Sequence, residues 1–321
     1  MQNPDPVLPE NFDGFVTEEI EPIFATLQQA KITGSNQLVK YGVIGLLAGL
    51  IIGIGVYLYN PELWPVVIAL AFAGGIFGMI PGWQIMHKAS SSFKQQHIAR
   101  TAKFLGLEHQ ASDFAAVKFD DFTQLNLAPA GDRQRFSNLI SGTHKGTEFL
   151  IYEAFIEERR TRIVTDGKGK TRTETYWVTV FDGQLLYSPF PVKFACTTII
   201  ARDQGWFNFK GRFGKSMKPM GLADPEFEKL FEVYTTDQVE GRFLVNPTFM
   251  VRLMNLETNN KNRRLSAAFF DQSVFVALQG KTGFVARLED DSTARSTSEQ
   301  SVSAFLRIFD FLSALKGNKG G

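Results

Sequence analysis

Cysteine is nearly missing from this chain: Cys196 is the single one in 321 residues. One thiol excludes an intramolecular disulfide framework and any zinc site built from several thiolates, and it fits a reducing compartment. Its setting, Phe-Ala-Cys-Thr-Thr-Ile-Ile, describes an inert buried thiol. Histidine is scarce as well. His87, His97, His109 and His144 are far apart, and none stands in an HExxH pattern. GxSxG and GxGxxG do not occur, which removes the nucleophile elbow and the dinucleotide fingerprint. Neither sign of charge dominates: 34 Lys and Arg against 33 Asp and Glu leave +1, no bulk field to attract nucleic acid. No repeat period stands out. The expectation is therefore no cofactor, no metal and no nucleic-acid partner.

Charge is also absent from two long runs, and these organise the chain. YGVIGLLAGLIIGIGVYLY is followed by the break Asn60-Pro61-Glu62 and then by LWPVVIALAFAGGIFGMI, together residues 41–80. Each run is close to the ~20 residues that cross a hydrocarbon core of ~30 Å as a helix. The reading is a transmembrane helical hairpin; the competing one, a buried helical pair in a soluble core, fits the length and lack of charge poorly. Lys31 and Lys40 precede the hairpin and Lys88, Lys94 and Arg100 follow it, whereas the turn carries only Glu62. Basic residues resist translocation, so both termini are expected in the cytoplasm. Tyr41, Tyr57, Tyr59, Trp64 and Trp83 fall near the two interfaces. Gly45, Gly49 and Gly53 share one face of the first helix, and Ala71, Gly74 and Gly78 one face of the second. Small residues let helix backbones approach. Packing within the hairpin is the favoured use, and a homo-oligomeric seam the other. Neither span holds an ionisable residue, so a channel or transporter is not indicated.

The remainder divides readily. Residues 1–40 read as a loose tail, a short helix with Ile20, Ile23, Phe24 and Leu27 on one face, and a link over 31–40. Residues 81–111 read as a juxtamembrane stalk helix ended near Gly106. Residues 112–290 read as a cytosolic α+β domain, mainly antiparallel, because strand periods mix with a few segregated helices and no βαβ alternation. Residues 149–164 and 171–181 are strands about a turn at 165–170; Asp182-Gly183 reads as a second, tight hairpin turn. Further strands are expected at 194–201, 206–210 and 231–234, with a hairpin over 265–278 turning at Asp271-Gln272. Asn246-Pro247 opens a helix, and 291–321 is a linker plus an amphipathic helix behind a capping box at 296–299.

Three stretches invite chemistry. Gly211-Arg212-Phe213-Gly214-Lys215-Ser216 ends like a phosphate loop, but Phe209 stands where that loop needs glycine. Asp224, Glu226, Asp237 and Arg242 are the candidates for an enzyme pocket, although Asp-Pro-Glu more commonly caps a helix. Arg159, Arg160, Arg162, Lys168, Lys170 and Arg172 gather on one expected hairpin, tempered by Glu157, Glu158 and Asp166. Such a basic arm suits anionic lipid headgroups or an acidic protein partner.

Residues 224–247, DPEFEKLFEVYTTDQVEGRFLVNP, followed by a Phe-Met-x-x-Leu helix, resemble the bacterial family called domain of unknown function 3137. Phe136, Gly142, Gly146-Thr147, the FDG at 181–183, the stretch 199–206 and the hairpin 265–278 agree with it. The resemblance covers roughly 119–288; Gly241 replaces an expected alanine and Asn246 an expected threonine. It implies a membrane hairpin ahead of the domain and a bacterial inner-membrane address, and it supplies no activity. The resulting expectation is a membrane-anchored binding or regulatory module. A membrane-tethered enzyme and a structural subunit of a larger complex are its rivals.

Overall fold

Both apolar runs fold as helices, and each helix is far longer than its apolar run. The structure, a computed structural model, describes residues 6–165, 167, 169–202, 216–222, 224–258, 264–280, 284 and 292–316. Helix α1 (Phe12–Phe15) passes through one wide π turn, Val16–Ile20, into α2 (Glu21–Tyr59). The wide turn has a local cause. Pro22 has no N–H to continue the helical ladder, and the Glu21 N–H reaches back to the Val16 carbonyl instead. The link expected at 31–40 does not exist, and the loose tail ends before Phe12, which is buried. Nothing in 31–40 breaks a helix, since it contains no proline and its one glycine faces a neighbouring backbone. Asn60 turns the chain by accepting the Glu62 N–H at 3.0 Å. Helix α3 (Trp64–Phe104) then runs through Pro81, so the second span and the stalk are one rod.

The 48 residues of Phe12–Tyr59 amount to about 72 Å of helix, more than twice the ~30 Å core of a bilayer. Only 17% of the most apolar stretch of the first helix and 6% of that of the second are buried, unlike core helices of a soluble protein. The two helices are thus long and apolar enough to cross a membrane. They touch through glycine. A Cβ on Gly45 would collide with the Gly74 carbonyl, one on Gly49 with the Leu70 carbonyl, and one on Gly78 with that of Tyr41. Gly55, by contrast, faces open space. Gly49→Leu is therefore expected to cost about 1–3 kcal/mol of hairpin stability, the usual range for overpacking, and Gly55→Leu almost nothing. Unfolding of the full chain in detergent checks this; equal midpoints for the two variants would remove the packing role of that face.

The rest is an antiparallel sheet with helices on it. In chain order it contains β1 (Glu108–Gln110), α4 (Phe119–Gln124), β2 (Arg133–His144), β3 (Thr147–Thr165), β4 (Thr171–Pro189), β5 (Thr198–Arg202) and β6 (Lys218–Pro219). Then come α5 (Pro225–Leu230), β7 (Phe231–Thr235), α6 (Gln238–Leu244), α7 (Pro247–Thr258), β8 (Arg264–Phe270), β9 (Ser273–Gln279) and α8 (Ala294–Lys316). Among the described residues the strand order is β1-β2-β3-β4-β9-β8-β5-β7-β6, antiparallel throughout. The fold class is α+β, as the patterning implies. The expected strand at 206–210 lies outside the described residues.

Asp182-Gly183 is not a turn. β4 runs through it, with Gly183 between Ala154 of β3 and Gln279 of β9. Glycine is needed there for close approach, because a Cβ would strike the Leu278 carbonyl. The hairpin at Asp271-Gln272 does form, with both residues at positive φ (45° and 54°). The last helix starts one turn before the expected box. Thr293 Oγ1 accepts the Ser296 N–H at 3.0 Å, and Ser296 Oγ accepts the Thr293 N–H at 2.9 Å.

One face of the sheet, through Tyr152, Ala154, Ile156, Phe181 and Phe275, packs with α4 through Phe119 and Phe122. On the α8 side, Phe305 stacks on Phe284, Phe309 meets Phe149 and His144, and Phe311 meets Phe249. By contact density the chain forms two units. One is built around the sheet (Thr101–Leu288 with Glu299–Gly321 and the first residues), the other around the helical hairpin (Pro9–Arg100 with Glu289–Ser298).

Candidate interaction site

Strands β3 and β4 outrun their neighbours. β2 accompanies β3 only as far as Glu157, and β9 accompanies β4 only from Gly183. Beyond those points 158–165 and 171–179 pair, among the described residues, with each other alone, a two-stranded ribbon about 26 Å long at ~3.3 Å per residue. A bulge at its root sets Ile156 opposite Phe181 but Glu157 opposite Thr179, leaving Val180 as the extra residue. Bulges bend and twist a strand, and this one re-aims the ribbon where it leaves the sheet.

Register divides the basic arm between two faces. Arg160, Arg162 and Arg172 lie on one, opposite Tyr176, Glu174 and Val164, whereas Arg159 lies on the other, opposite Trp177. The charges are also partly answered. Glu174 accepts from Arg162 at 2.9 Å and from Arg172 at 2.6 Å, and these hydrogen bonds hold its carboxyl below the usual range. Arg160 pairs with Glu158 at 3.2 Å. Over 157–174 six cations meet four carboxylates, a net +2 rather than a strong field. Lys168 and Asp166 lie outside the described residues.

The other face of the ribbon's root carries a feature missed in the sequence. The Arg133 guanidinium lies 3.5 Å from the centre of the Trp177 ring, and that of Arg135 4.6 Å from the centre of Phe155. Arg133, Arg135, Arg159 and Trp177 are all exposed. The alternation Arg-Gln-Arg-Phe at 133–136 was the available signal, since period two puts both arginines on one side of a strand.

A second missed constellation is a hydrogen-bond chain beneath that face. His109 Nε2 donates to Asn138 Oδ1 at 3.1 Å, and Asn138 Nδ2 donates to Glu153 at 2.7 Å. Glu153 also accepts the Phe284 N–H at 3.0 Å. Asn138 sits at φ 53° beside the β2 bulge, a left-handed position that asparagine tolerates. The chain thereby fastens β1, β2, β3 and the segment after β9. Three residues so far apart in sequence gave no motif.

The enzyme-pocket candidates take local roles. Asp224 caps α5, accepting from the Glu226 and Phe227 N–H groups at 2.9 and 3.1 Å. Asp237 caps α6 through the Val239 and Glu240 N–H groups, which lower its carboxyl pKa. Glu226 pairs with Lys229, and Arg242 donates to the Gln238 carbonyl. No hydrogen bond or ion pair among the described residues joins the four. Cys196 is buried beside Thr198, and burial pushes its thiol up, away from nucleophilic use. Its N–H, like that of Ala195, donates to Glu240. A groove of about 350 Å³ lies between the segment 126–129, which follows α4, and the sheet, lined by Asn126, Glu158, Arg202, Arg264, Ser266 and Gln279 among others. No group of three His, Cys, Asp or Glu among the described residues has metal-ligand geometry. The phosphate-loop-like stretch falls at 211–216, of which only Ser216 is described.

No curated protein matches this chain. Among solved structures it is similar to the crystal structure of the mycobacterial trehalose monomycolate transport factor A, TtfA. That likeness is 11% identical, covers 68% of this chain and 94% of that one, and has a TM-score of 0.37, too distant to carry function. A family model matches residues 179–316, starting later than the resemblance seen in the sequence and running on through α8. Through that region, from the second half of β4 to the last helix, the chain is similar to the family described as "Protein of unknown function (DUF3137)".

Proposed function

We propose that the chain is a membrane-tethered binding or regulatory module, held by its helical hairpin and making contact through the β3–β4 ribbon. The carrying observation is the ribbon itself: two strands that leave the sheet, pair only with each other among the described residues and hold Ile163, Tyr176, Trp177 and several arginines exposed. A strand pair that packs little of its own domain beyond its root contributes little to a core, so its residues are available for a partner. The basic residues flanking the hairpin support an inner-membrane address with both termini in the cytoplasm. The apolar faces of the first and last helices, which would have suited a structural subunit, are occupied: Ile20, Phe24, Phe305 and Phe311 are all buried.

Mild extraction of the full chain from its membrane, with mass spectrometry of what co-purifies, tests this. The expected result is a protein at fixed stoichiometry or bound anionic lipid. Neutralising Arg159, Arg160, Arg162, Lys168, Lys170 and Arg172 to glutamine should lower the recovery about tenfold, roughly 1.4 kcal/mol. Equal recovery with the neutral ribbon would remove the ribbon from the contact, and a chain that brings down nothing would remove the module reading.

A further inference from the structure

The root of the ribbon combines two properties that are seldom left open together. The first is an unpaired sheet edge. β1 covers β2 only at Leu139, Ile140 and Ser141, so no strand among the described residues pairs with the outer side of 133–137. Open edges are templates for another extended chain, whose main-chain groups complete the ladder.

The second property is a set of guanidiniums without carboxylates. Arg133, Arg135 and Arg159 form no ion pair among the described residues. Glu157 stands in register with Arg133, and Asp132 accepts the Arg159 N–H at 2.7 Å. Trp177 and Phe155 back the first two guanidiniums. Stacking fixes the plane of a guanidinium while leaving its N–H edge free to grip a carboxylate with two hydrogen bonds. Arg133 and Arg135 are two residues apart on one strand, hence on one face and ~6.6 Å apart along it. Acidic side chains at alternate positions of an added strand repeat with the same spacing.

We infer that the open edge of β2 at 133–137 binds an extended acidic peptide segment of a partner protein, with carboxylates at alternate positions held by Arg133, Arg135 and Arg159. This deepens the module reading and rests on it. A lipid headgroup would satisfy the guanidiniums but not the main-chain edge, and the net charge of +1 offers nucleic acid no wider field. The edge and the arginines together select a peptide.

The test uses the full chain in nanodiscs of neutral lipid and two labelled peptides of one composition. One carries glutamate at every second residue between valine and threonine, the other at every third. Fluorescence anisotropy should show the first binding at least tenfold more tightly, and binding should weaken with salt. Arg133→Gln with Arg135→Gln should reduce it tenfold or more; both side chains are exposed, so the domain stays folded, which circular dichroism checks. Equal binding of the two peptides, an unaffected double variant, or complete displacement by phosphatidylglycerol vesicles or single-stranded DNA would each overturn the inference. The module reading has a separate readout. If neither peptide binds but the double variant still loses the co-purified protein, the acidic strand is wrong and the module stands. If nothing co-purifies either, both fall.

Discussion

Replacing Phe275 by alanine is expected to destabilise the sheet domain by about 4 kcal/mol. Phe275 lies fully buried on β9, edge-on to Phe122 at 5.1 Å and to Tyr187 at 5.4 Å. Phe122 in turn meets Tyr152, and Tyr152 meets Phe114 and Phe136, so one ring holds a chain of edge-to-face contacts together. Truncation loses the transfer energy of the ring and leaves a cavity that rigid strands cannot close. Phe275→Leu, which keeps most of the volume, is expected to cost less than about 1.5 kcal/mol. Phe243→Ala, on the half-exposed side of α6, should fall within about 0.5 kcal/mol of wild type. Denaturant unfolding of the full chain, followed by circular dichroism, separates the three. A loss below 1 kcal/mol for Phe275→Ala would mean that the ring cluster is not the core.

Acidification is expected to loosen the helical unit around His97. That ring is fully buried in α3, donates from Nε2 to Ser298 Oγ at 3.3 Å, and leaves Nδ1 without a partner among the described residues. Ser298 Oγ gives its own proton to the Ala294 carbonyl at 2.8 Å, so it can only accept from the histidine. A protonated ring would carry a second buried N–H facing no acceptor, and burial lowers the His97 pKa from 6.5 to about 4. The sign follows from proton counting. Between those values the opened state binds the proton and the closed state does not, so stability falls as pH drops from 6.5 towards 4. Above 6.5 both states are neutral and there is no dependence on this group. The full span is worth about 3 kcal/mol, at 1.36 kcal/mol per pH unit. Hydrogen exchange of the amides at 294–298, corrected for intrinsic rates, should accelerate across that window in the wild type. In His97→Leu the acceleration should vanish; the same slope in both proteins would assign it to another group.

Much of the architecture is local, and local signals carried it. Two uncharged runs of about twenty residues need no partner to be read as helices, since length and transfer energy settle them. Asn246 with Pro247, Asp224 with Pro225, and Asp271-Gln272 between β8 and β9 act within four residues of themselves, and each formed as its chemistry dictates. The errors of local reading have one kind. Asp182-Gly183 carries the sequence of a tight turn, but the glycine answers the backbone of β9 almost a hundred residues on. The stretch 31–40 has the composition of a link, and yet Gly34 packs against Gly82 of α3.

The site divides along the same line. The sequence alone determined that Arg159, Arg160, Arg162, Lys170 and Arg172 lie on one hairpin, because β3 and β4 are adjacent in the chain. Alternation was enough to place Arg160 and Arg162 together and to turn Arg159 away; the register of β3 with β4 was needed to seat Arg172 beside them. Only the tertiary structure set Arg133 on Trp177 and linked His109 through Asn138 to Glu153. Those contacts join residues on different strands, and the pairing of strands is fixed by burial of Tyr152, Ile156 and Phe275 in a shared core. A side chain's face can be read from its own strand, but its neighbours are chosen by the packing of all the others.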